Sequence, residues 1–94
     1  MTFFFFGGYT HDSLHEISGE RTERAYDLFE ERGGKLLSAY ALLGDRDLAL
    51  IADLPGIHEA MLVSVGLTKL TGISFNTSPA VSMEQFDRLI EGPQ

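Results

Sequence analysis

The chain has 94 residues, 44% hydrophobic and 22% charged, the composition of one globular domain and a size at which pairing with a second copy is an ordinary remedy for marginal burial. Fourteen acids against seven bases give a formal charge of -7 and a pI near 4.7, which argues against nucleic-acid backbones and anionic membrane surfaces as partners. The lack of cysteine excludes a disulfide framework, a thiolate zinc site and a cysteine nucleophile.

Residues 2–9 read as a strand because of four consecutive phenylalanines, Phe3 to Phe6, with a turn or bulge expected at Gly7-Gly8. The next stretch is helical. Thr10 caps it, Asp12 suits its first turn, and Leu14, Ile17, Ala25, Leu28 and Phe29 recur at helical spacing until Gly33-Gly34; Gly19 is the point where it can break in two. Residues 35–43 and 48–54 are strands joined by the polar turn Gly44-Asp45-Arg46-Asp47, which makes an antiparallel hairpin, and Pro55-Gly56 stops the second. A helix over 57–71 has Lys69 in its last turn and Gly72 as its cap. Residues 73–78 alternate as a fourth strand that Pro79 should end, and Ser82 with Gln85 opens a short helix carrying Phe86, Leu89 and Ile90.

The order βαββαβ plus a terminal helix specifies an α+β, ferredoxin-like sandwich over 1–94, a single domain with both main helices on one face of a four-stranded antiparallel sheet. The strands do not alternate cleanly. The Phe run, Leu36-Leu37, Ala39 to Leu42 and Leu48 to Ala52 supply apolar groups to both faces. Four strands of about six residues make a face of roughly 400 Å², and two such faces pair over roughly 800 Å² by footprint, near the lower range of specific interfaces. The expected partner is therefore a second copy, as a homodimer or a higher oligomer packed sheet on sheet. The other reading is that the terminal helix folds over the open face. No apolar stretch approaches the roughly 18 residues of a membrane span, the Phe run is too short for a signal peptide, and the cytoplasm is the expected location.

Glu20-Arg21-Thr22-Glu23, Gly33-Gly34-Lys35, Tyr40-Ala41-Leu42-Leu43-Gly44, Asp47-Leu48 and the run Ile73 to Val81 together resemble the GYD-domain family of small bacterial proteins over nearly the whole chain. Gly44 and Asp47 match the residues that give the family its name, whereas Arg46 stands where the family usually has tyrosine. The family is similar to the dimeric α/β barrels, which include cofactor-free monooxygenases, isomerases and haem-handling enzymes. The resemblance implies the fold and the dimer, and activity only by analogy.

Candidate site residues lie on the helix side. Helical counting puts Ser64, Thr68 and Thr71 within the apolar stripe of 57–71, either bonded to the carbonyl four residues back or lining a polar pocket. Arg21 falls on the inward stripe of the first helix, where a guanidinium either pairs with an acid or anchors an anionic ligand, with Tyr40 or His11 as polar companions. His11 and His15 have the spacing of a helical metal pair but no third ligand, so no metal and no cofactor is expected. The function expected is a homodimeric module that binds a small molecule or serves a structural role. The alternative is a cofactor-independent oxygenase or isomerase acting on a small aromatic or lactone-like substrate, with His11 or Tyr40 moving a proton and Arg21 holding negative charge.

Overall fold

The computed structural model describes residues 1–10, 12, 15, 16 and 18–92. Its elements are β1 (Thr2–Gly7), α1 (Gly19–Glu31), β2 (Lys35–Ala41), β3 (Leu48–Asp53), α2 (Ile57–Thr71), β4 (Phe75–Ala80) and α3 (Met83–Glu91). The strands form one sheet in the order β2-β3-β1-β4, with every neighbouring pair antiparallel, an arrangement compatible with the ferredoxin-like sandwich. None of the described helices is long and apolar enough to cross a membrane.

The side-chain period of 2 divides the Phe run between the two faces. Phe3 and Phe5 are buried beneath the helices together with Leu50 and Ala52 of β3, Phe29 of α1, and Ala60, Val63 and Leu67 of α2. The Phe5 and Phe29 rings meet edge to face with centroids 5.4 Å apart. Phe4 and Phe6 point the other way and stack with centroids 6.1 Å apart, level with Ile51 and Ala49 of β3. Both faces of β1 are thus aromatic, as its sequence requires.

Several element ends differ from the sequence reading, each for a local reason. β1 stops at Gly7, where a Cβ would lie 2.7 Å from the Phe75 ring, so the strand end is a close approach of backbone to side chain. Helix α1 starts at Gly19 because Ser18 caps it: the Ser18 hydroxyl accepts a bond from the Arg21 N–H at 3.1 Å. Leu14 and Ile17, part of the same apolar stripe by helical counting, lie outside the described residues. β2 ends at Ala41 and carries a bulge between Leu36 and Ser38. β4 begins at Phe75 and runs through Pro79 rather than ending before it; as an edge strand it loses no ladder bond to a residue without an N–H. Helix α2 has the predicted bounds and ends at Gly72 in the left-handed region, φ 74°.

Helix α3 forms as expected, its Ser82 hydroxyl accepting a bond from the Gln85 N–H at 3.1 Å, but it covers nothing. None of its residues is buried, and the chain is 54 Å long with a radius of gyration of 14.6 Å, against about 12 Å for a compact domain of this size. The reading in which this helix folds over the open sheet face is therefore not what the chain does.

Two substitutions probe this scaffold. Phe5→Ala removes the central inward ring and is expected to lower stability by about 3–5 kcal/mol in denaturant unfolding. The Thr71 hydroxyl donates to the Leu67 carbonyl at 2.7 Å and accepts from the Ile73 N–H at 3.1 Å in a buried position. Thr71→Val strands that N–H and is expected to cost about 1–3 kcal/mol, most of which Thr71→Ser should restore.

Candidate functional site

The turn between β2 and β3 positions one wall of the site. Leu42 N–H donates to the Asp47 carbonyl at 2.8 Å, and Asp47 N–H donates to the Gly7 carbonyl at 3.0 Å. The Asp47 carboxylate in turn accepts the Tyr9 N–H at 2.8 Å. One acidic residue thereby ties the hairpin to the end of β1 and fixes where Tyr9 leaves the sheet. Arg46 beside it sets its guanidinium 5.4 Å from the centroid of Phe6, a cation–π contact on the open face of the sheet.

Tyr9 lines a cavity of about 130 Å³ between the first half of α1, the end of α2 and the β2–β3 side of the sheet. Arg21, Thr22, Ala25 and Tyr26 come from α1, at positions one turn apart on one side of the helix, and Leu50 and Thr71 help close the floor and the far side. The lining is mostly apolar. Its polar residues are Arg21, Tyr9, Tyr26, Thr22 and Thr71. Thr22 donates to the Ser18 carbonyl at 3.2 Å, and Thr71 is bonded as described above.

A second space of about 290 Å³ runs as an open groove between α2 and the β4 edge, lined among others by Ile57, Met61, Ser64, Val65 and Thr77. Thr77 donates to the Ser64 hydroxyl across it at 3.3 Å. Thr68 bonds back to the Ser64 carbonyl at 3.1 Å, the satisfied small-residue role that helical hydroxyls often take.

The predicted site residues come together only in part: Arg21 and Thr71 share the helix-side cavity, and Ser64, Thr68 and Tyr40 do not join them. Arg21 is in the helix-side cavity, Ser64 is in the groove on the other side of α2, and Thr68 serves its own helix. Tyr40 is corrected outright: it pairs with Ala49, which pairs with Phe6, so it projects from the open face, 55% exposed and separated from Arg21 by the sheet. The bulge after Leu36 sets this phase, which strand counting alone does not supply. His11 lies outside the described residues. Tyr26, which the sequence reading passes over, is recoverable from helical counting, being one turn beyond Thr22 and next to Ala25. Among the described residues no group of three His, Asp or Glu side chains is placed to hold a metal ion.

The profile of the GYD domain family matches residues 3–90. Searches among curated proteins and among solved structures found no match. With the match spanning nearly the whole chain, and Gly44 and Asp47 standing at the turn that organises the end of β1, the chain belongs to the GYD domain family.

Proposed function

We propose that this protein is a homodimeric small-molecule-binding module, paired through its open sheet faces and holding a compact ring-bearing ligand in the helix-side cavity. The observation that carries the reading is the cavity itself. Its volume of about 130 Å³ is close to that of apolar cavities of about 150 Å³ that take up benzene. Arg21 in the wall favours an acidic substituent on the ring, and the two tyrosines add aromatic contact. The oxygenase or isomerase reading loses Tyr40, one of its two proton carriers, because Tyr40 and Arg21 stand on opposite faces of the sheet, and His11, the other, lies outside the described residues. That pair does not act on one molecule.

The pairing reading draws on the open face. Phe4, Phe6 and Ile51 line its centre, and Tyr40, at 55% exposure, stands toward its margin. No described helix of the chain lies over it, and large apolar patches of this kind mark interaction surfaces.

Benzoate and toluene are suitable probes for the cavity. At about ten times its Kd a ligand adds about 1.4 kcal/mol to stability, a rise of several degrees in Tm for a domain of this size. Benzoate is expected to give that rise, Arg21→Ala to diminish it while sparing toluene, and Ala25→Phe to abolish both by filling the space; no shift with either probe would overturn the cavity reading. Light scattering is expected to give about twice the 10.4 kDa monomer mass. Phe4→Asp should dissociate the pair, since burying an unpaired carboxylate costs several kcal/mol. A native chain that stays monomeric at high micromolar concentration would refute the pairing.

A further inference from the structure

Helix α3 is amphipathic with a continuous apolar side. Met83, Phe86, Leu89 and Ile90 fall within about 120° of one another at 100° per residue, and all are exposed. The opposite side carries Glu84, Asp87 and Arg88, with Arg88 and Glu84 joined by a 2.8 Å ion pair. A nine-residue helix, capped by Ser82 and Gly92 and carrying the Glu84–Arg88 ion pair, is marginal alone in water, because isolated helices shorter than about 12–15 residues are. Something must cover it. The described residues of its own chain do not: α3 follows β4 after only Val81 and Ser82 and buries no residue.

We propose that α3 is an exchanged arm, its apolar side covered by a second copy of this chain, each arm closing over the margin of the other copy's open sheet face. This deepens the pairing reading above and rests on it. One chain carries two uncovered apolar surfaces, the open sheet face and the α3 side, which do not meet within that chain but do meet reciprocally between two copies related by a two-fold axis. Area points the same way. The paired sheet faces alone cover roughly 800 Å² by footprint. A helix of this length covers roughly 135 Å², so two arms laid over the sheet margins bring the total to roughly 1,070 Å² by footprint, past the roughly 1,000 Å² that a biological interface needs to clear.

The test compares the native chain with Leu89→Asp, Phe4→Asp and Asp87→Asn by sedimentation velocity. Leu89→Asp is expected to weaken the dimer at least about 100-fold and to leave the unfolding midpoint of the monomer in place, since Leu89 is 69% exposed within its own chain. Asp87→Asn, on the polar side, is expected to change nothing. Because the chain has no cysteine, a Leu89→Cys variant gives a single thiol whose alkylation by iodoacetamide should slow as protein concentration rises through the dimer Kd. A dimer Kd for Leu89→Asp within about threefold of native, or an alkylation rate for Leu89→Cys that is independent of concentration, overturns the arm. If Phe4→Asp still dissociates the dimer in that case, the pairing reading stands without it; a native chain monomeric at every concentration removes both.

Discussion

A strand of four phenylalanines presents two rings to each side of its sheet, and backbone pleating leaves no choice in the matter. The rest of the molecule answers that constraint. β1 is a central strand, hydrogen-bonded to β3 and β4, so its rings sit in the middle of both faces rather than at a solvated edge. On one face Phe3 and Phe5 gather α1 and α2 into the core. On the other, Phe4 and Phe6 form the middle of an apolar surface that no described helix of the chain covers.

The helix-side cavity is a by-product of how the ends of these elements are fixed. Asp47 ties the β2–β3 turn to Gly7 and Tyr9, and Ser18 caps α1 so that its first two turns bring Arg21 and Ala25 toward the cavity, with the exposed Tyr26 at its rim. The core proper is packed lower down, around Phe5, Phe29 and Leu67. The space left between these two fixtures is apolar with a cationic wall. The groove on the far side of α2 has a different origin: α2 is apolar almost all round, so once Ala60, Val63 and Leu67 are buried, Ile57, Met61 and Val65 remain at the surface.

Much of the fold was legible in the residues. The order of elements, the bounds of α2, its glycine cap, the Ser82 cap of α3 and the two-faced character of the sheet all follow from patterns a few residues long. The site was less legible. Arg21 falls on the inward side of α1, where helical counting puts it, because a capped helix has a regular phase. Tyr40 falls on the open face and not beside Arg21, because one bulged residue in β2 reverses which face every later side chain takes, and a bulge is a property of strand pairing rather than of the strand. Pro79 misleads for the same kind of reason, since whether it breaks a strand depends on whether that strand is at the edge.

The sequence by itself determined what is local: which stretches become helix or strand, where caps fall, and that β1 must carry rings on both faces. Tertiary structure alone decided which groups share a space. It put Arg21 with Tyr9 and Tyr26, sent Ser64 to a separate groove, turned Tyr40 to the far side of the sheet and left α3 uncovered. These outcomes depend on strand order, register and the angle at which one element leaves another, and such long-range pairings are not encoded in periods of 2 or 3.6.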